Sequence, residues 1–104
     1  MTHWIRIAAV SECPPGSALE CVAGERIVAL YNVAGTFHAL DGICSHQGGP
    51  LGRGELAGCI VTCPWHGWQY DVQTGKHLLS PIVQPTFSVR VEGEDVLVEM
   101  PDDG

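Results

Sequence analysis

Positive charge is scarce in this sequence. Five lysines and arginines stand against 12 aspartates and glutamates, for a formal net charge of -7. The five (Arg6, Arg26, Arg53, Lys76 and Arg90) are scattered along the chain. A phosphate backbone is held by clustered cations, so no nucleic-acid partner is expected. Long apolar runs are missing too: none approaches the ~18 residues that cross a bilayer, and no membrane association is expected. The first ten residues lack the hydrophobic stretch of a secretory signal, which points to the cytoplasm. Helical periodicity, repeats, low-complexity tracts and linker-like segments are likewise not found.

What is present is a period of two. With 104 residues, 45% hydrophobic and 16% charged, the chain reads as one globular domain spanning residues 1–104, with a small core. Trp4–Ala8 alternates roughly, and Glu25–Val33 is apolar and β-branched enough for an inner strand. Ala34-Gly35-Thr36 then turns the chain into Phe37–Leu40. Cys59–Thr62 and Trp68–Val72 form a second strand pair around Cys63–Gly67. Phe87–Val91 and Val96–Met100 alternate about Gly93-Glu94-Asp95, the clearest hairpin signal in the chain. The 13 glycines and seven prolines fall mostly between these segments, which predicts an all-β, antiparallel sandwich or open barrel. Acidic residues gather from Glu92 to Asp103; they read as a solvated surface or, more sharply, as steering toward a basic partner.

The five cysteines are an odd number in a chain without a secretory signal, so a disulfide framework is not expected. Two of them are paired with histidines. Cys44-Ser45-His46 and Cys63-Pro64-Trp65-His66 lie in Gly/Pro-rich loops, with 16 residues between His46 and Cys63. The irregular stretch from Asp41 to Gly58 contains the first motif, and such stretches are usually functional. Two metal sites use this ligand set: a zinc ion in a Cys2His2 site and a [2Fe–2S] cluster with two thiolates and two imidazoles. Zinc sites tend to place like ligands together. A cysteine leading both loops favours the cluster, since each loop can then deliver one ligand to each iron. The zinc reading would make the chain a metal-stabilised binding module, and the cluster reading an electron carrier. Cys13, Cys21 and Cys59 read as small buried hydrophobes, with Cys59 on a strand. His3, His38 and His77 read as surface or edge residues. Arg53 is either solvated or bonded to loop carbonyls.

At Cys44-Ser45-His46 and Cys63-Pro64-Trp65-His66-Gly67 the sequence resembles the Rieske family, in particular the Rieske ferredoxins of bacterial ring-hydroxylating (aromatic) dioxygenase systems. The likeness runs from about Trp4 to Met100; Pro81–Pro85 is similar to the family's proline-containing cover loop. The resemblance implies a Rieske-type antiparallel β-sandwich with a small cluster-binding subdomain, formed by loops at about residues 41–50 and 63–68. It implies one [2Fe–2S] cluster, with Cys44 and Cys63 on the inner iron and His46 and His66 on the outer one. It implies a carrier rather than an enzyme: a monomer taking electrons from an NAD(P)H-dependent flavoprotein reductase and passing them to a terminal Rieske non-haem iron oxygenase. The alternative role is a small electron-transfer subunit of a nitrite-reductase-like enzyme. Gln47, Pro50, Gly67, Trp68 and Pro81 would rim the docking face, with Trp65 or Trp68 as a partner contact or a shield over the cluster. Quinol-oxidising members carry a cysteine in each loop, joined as a disulfide, where Gly49 and Trp65 stand here, and a serine where Trp68 stands. Their tyrosine has a counterpart in Tyr70. With fewer hydrogen-bond donors, a potential toward the low end of the range, about −150 mV, is expected.

Overall fold

The computed structural model describes residues 2–44, 48–65 and 67–101. Among these residues ten strands follow one another: β1 (Thr2–Ala9), β2 (Ala18–Ala23), β3 (Arg26–Val33), β4 (Thr36–Asp41), β5 (Glu55–Ala57), β6 (Ile60–Thr62), β7 (Gln69–Asp71), β8 (Thr86–Phe87), β9 (Val89–Glu92) and β10 (Asp95–Pro101). Among the described residues the only helical elements are 3-10 turns at Val10–Glu12 and Leu51–Arg53. The strands form three antiparallel sheets, ordered β1-β10-β9, β2-β3-β4-β8 and β5-β6-β7.

The middle sheet is covered on both sides, and β3 shows why. Successive side chains of a strand point to opposite faces. Val28 packs with Val98 and Met100, and Leu30 with Ala8 and Val96, on the side of the β1-β10-β9 sheet. Ala29 and Tyr31 face the other way, into a cluster with Leu40, Leu51, Val61, Tyr70 and Val72. A strand buried on both faces is continuously apolar rather than alternating, as Val28–Tyr31 is. Each such fully buried side chain contributes about 1.5–3 kcal/mol. The β3–β4 hairpin closes through Ala34 and Gly35, both with positive φ (51° and 94°). This is the two-residue geometry that matches strand twist. Asn32 secures it, accepting the Gly35 N–H at 2.7 Å and donating to the Cys13 carbonyl at 2.9 Å.

Two features depart from the sequence expectation. β2 gave little signal because its inward residues, Cys21 and Ala23, are small, while Val22 points outward. The segment Phe87–Val91 is not one arm of a simple hairpin. Phe87 pairs with Ala39 of β4, whereas Val89 pairs with Val98 of β10. The chain thus changes sheets at Ser88, which local alternation does not reveal.

Candidate metal centre

The first loop leaves β4 at Asp41 and is pinned at once. Gly42 donates its N–H to the Ile27 carbonyl (2.9 Å) and accepts from Leu51 N–H (3.0 Å). A Cβ at Gly42 would stand 2.6 Å from the Ile27 Cγ2, so a residue without a side chain is required for this approach. Cys44 donates its N–H to the Gly49 carbonyl, and Gly48 donates to the Cys44 carbonyl, each at 2.9 Å. Residues 42–44 and 48–51 are therefore drawn together, with the Cys44 side chain buried. The second loop extends the β6–β7 ladder by one bond, from Cys63 N–H to the Trp68 carbonyl at 2.7 Å.

Cys44 and Cys63, 3% and 1% exposed, meet in one core cluster. Neither is in a disulfide. Burial pushes the Cys63 thiol up; the Trp65 backbone N–H bonded to it lowers it, and the neighbouring Cys44 raises it again. The Tyr70 hydroxyl lies 3.3 Å from the Cys44 sulfur. Burial first, then Cys44, raise the Tyr70 phenol well above its usual range, so it stays protonated and is a donor to a Cys44 thiolate. Tyr31 lies close by, its hydroxyl donating to the Leu51 carbonyl at 2.7 Å. Its phenol is raised by burial, then by Cys63 and Cys44. Two adjacent buried sulfurs ionise together only when positive charge lies between them. The space is cut for sulfur: a Cβ at Gly49 would come within 2.7 Å of the Cys63 Sγ. The thiols, their donors and this cradle fit an iron–sulfur cluster.

The cover segment is tied to the first loop by Gln84. Its side chain is wholly buried, and Nε2 donates to the carbonyls of Asp41 (2.8 Å) and Ile43 (2.6 Å). Asp41 N–H donates to the Pro85 carbonyl at 2.9 Å. Sequence reasoning marked the segment but not this residue; a glutamine inside an apolar, proline-flanked run was the available signal. Tyr31 was missed because it reads only as part of an inner strand.

The two predicted histidine ligands, His46 and His66, lie outside the described residues, as does Gln47. Among the described residues no three His, Cys, Asp or Glu side chains gather into a metal site. Cys13 and Cys21 are buried, as expected. Cys59 is not on a strand: it sits in the turn between β5 and β6, half-buried against the core around the two thiols. Arg53 pairs with the Glu20 carboxylate at 3.2 Å on the surface rather than with loop carbonyls. His77 is not a surface residue. It is 9% exposed and stacks on Trp68 with ring centroids 4.0 Å apart. Gly49 and Trp65 are neighbours, since a Cβ at Gly49 would lie 3.0 Å from that of Trp65. This adjacency suits the pairing that the resemblance assigns to these positions in quinol-oxidising proteins.

Three antiparallel sheets presenting two buried thiols on separate loops define an iron–sulfur electron-transfer domain. The chain belongs to the Rieske family: the Rieske [2Fe-2S] domain matches residues 3–98. One [2Fe–2S] cluster is its cofactor. It is 34% identical over 99 residues to the ferredoxin component of the naphthalene 1,2-dioxygenase system of Pseudomonas aeruginosa, with 93% of this chain and 95% of that protein covered. It is 35% identical over 96 residues to the 3-phenylpropionate/cinnamic acid dioxygenase ferredoxin subunit of Escherichia coli (strain K12), covering 89% and 90%. Among solved structures it is similar to the Sphingomonas yanoikuyae B1 ferredoxin, with a TM-score of 0.86, 27% identity and coverage of 95% and 100%. It also matches a chain from a complex of reduced oxygenase and oxidized ferredoxin in carbazole 1,9a-dioxygenase (TM-score 0.82, 32% identity, 91% of each chain). Like these relatives, the chain is an electron-transfer component rather than a catalytic enzyme. Among the described residues, no helix is long and apolar enough to cross a membrane.

Proposed function

We propose that this chain is the one-electron carrier of a ring-hydroxylating oxygenase system. It takes electrons from an NAD(P)H-dependent flavoprotein reductase and delivers them to a terminal Rieske non-haem iron oxygenase. It acts as a single domain and a monomer, in the cytoplasm. Cys44 and Cys63 hold the inner iron and His46 and His66 the outer one. The bound cluster supplies reversible one-electron redox chemistry.

The carrying observation is the pair of buried thiols with Tyr70 and the Trp65 backbone N–H directed at them. Hydrogen bonds to ligand sulfurs favour the more negative, reduced state. Tyr31 and the surrounding apolar residues keep water from the sulfurs. Exposed apolar side chains also favour a transient redox contact. Trp65 is 50% exposed, Leu79 91% and Val83 55%. Small interfaces with aromatic and aliphatic anchors suit such contacts.

The test is reconstitution. A purified reductase and ring-hydroxylating oxygenase should turn over only when this protein is added. The protein itself should be red-brown, with two irons and two acid-labile sulfides per chain. Turnover that does not need it would reject the carrier role.

A further inference from the structure

His77 was expected at the surface, yet it is packed against both aromatic residues that follow the second loop. It pairs with Tyr70 across an isolated antiparallel bridge, which puts the two side chains on one face. Their ring centroids are 5.4 Å apart, tilted by 54°. Trp68, two residues before Tyr70, shares that face and stacks on His77 with an interplanar angle of 22°. The imidazole is itself fixed. Its Nδ1 lies 2.7 Å from the Ser80 hydroxyl, and the His77 backbone N–H donates to the Ile82 carbonyl at 2.9 Å. Leu78 N–H donates to the Gln69 carbonyl at 3.1 Å, so the segment is held against β7.

We propose that His77 is a positioning residue for the redox centre: as a wedge between Trp68 and the Leu78–Ser80 turn, it holds the Tyr70 ring so that its hydroxyl reaches the Cys44 sulfur. The Tyr70 hydroxyl is one link from the sulfur, and the His77 ring is one link from Tyr70. A buried ring that loses a packing neighbour gains freedom to rotate or shift. A hydrogen bond already at 3.3 Å to sulfur is weakened by a small displacement. The wedge requires a flat ring rather than an imidazole as such, because its contacts with Trp68 and Tyr70 are made by ring faces and edges. This inference rests on Cys44 being a cluster ligand.

The test measures the midpoint potential of the cluster-loaded protein in His77→Ala, His77→Phe and Tyr70→Phe, and in the double variant His77→Ala/Tyr70→Phe. His77→Ala and Tyr70→Phe should each lower the reduced-to-oxidised ratio at the wild-type midpoint, by up to about tenfold, or 59 mV for one electron. His77→Phe should restore the wild-type value. In the Tyr70→Phe background, His77→Ala should add nothing, because the bond it positions is already gone. If His77→Ala does not retain its cluster, His77→Leu, which fills the space without a flat ring, takes its place and should also lower the ratio. The positioning role is overturned if Tyr70→Phe shifts the potential while His77→Ala leaves it unchanged. It is also overturned if His77→Phe behaves like His77→Ala, or if the two effects add. A Cys44→Ser protein that keeps two irons and two sulfides with an unchanged spectrum would fail at the ligand assignment instead, and would overturn the inference with it.

Discussion

Gly49 lies so close to Cys63 that a Cβ placed on it would stand 2.7 Å from the cysteine sulfur, and 3.0 Å from both Cβ and Cγ of Trp65. The two loops thus touch through a backbone with no side chain on it. Gly49→Ala must push the Cys63 loop away, because neither a buried cysteine sulfur nor the root of an indole can yield cheaply. Overpacking of this kind costs about 1–3 kcal/mol. Denaturant unfolding should report that loss, and iron and sulfide per chain should fall. A Gly49→Ala protein with a full cluster and wild-type stability would show that the loops have room to spare.

Gln84 offers a second test. Its amide donates to two carbonyls of the first loop, and its side chain is wholly buried. Gln84→Leu keeps the volume but strips both carbonyls of a partner. A buried acceptor left unpaired costs about 1–3 kcal/mol. Amide exchange at Asp41 and Cys44 should accelerate, while exchange in β1 and β10 stays as it was. Equal acceleration throughout would mean that Gln84 supports the whole domain rather than the loop.

Alkaline stability follows from Cys21. Burial is the main cause raising its thiol from 9.0 to about 11, with smaller contributions from Cys13, Glu12 and Glu20. The folded state therefore favours the protonated thiol. Its stabilising effect is complete below pH 9 and is lost as the pH rises toward 11, because the unfolded chain ionises first. The loss is at most about 3 kcal/mol, and solvent screening makes it smaller. Unfolding free energies measured from pH 8 to 11 should fall less steeply in Cys21→Ala, which has no thiol to ionise. Parallel slopes would assign the alkaline loss to other groups.

Removing the iron gives a fourth contrast. On the proposed ligand set, the Cys44 and Cys63 thiols then have no cation between them, and only hydrogen bonds and packing hold the two loops. Stripping the cluster with acid and chelator should loosen β5, β6 and β7 and spare the sheet of β1, β10 and β9. Hydrogen exchange before and after stripping checks this. Uniform protection in both states would show that the loops need no metal.

The unbroken apolar run Ile27–Tyr31 and the period of two in Val96–Met100 made the inner strands legible, because a strand buried on both faces is apolar throughout and one buried on a single face alternates. Cys44 and Cys63 stood out for a chemical reason, as thiols in glycine-rich loops each followed by a histidine, and the fold brings the two thiols into one buried cluster. Gln84, Tyr31 and His77 were not legible. Gln84 and Tyr31 act through partners distant in sequence, Asp41 and Leu51, while His77 is packed by Trp68 and Tyr70 only because the intervening turn folds it back onto β7. The change of sheet at Ser88 was hidden for the same reason. Only the fold brings β4 and β10 to either side of that residue.

Cys44 follows a strand of the middle sheet, and Cys63 follows a strand of the small one. The two sulfurs meet only after those sheets have docked. A three-stranded sheet with strands this short is marginal by itself, so the receptacle for iron does not exist in a partly built chain. On the proposed ligand set, iron and sulfide are therefore taken up by an assembled tip rather than by an emerging segment.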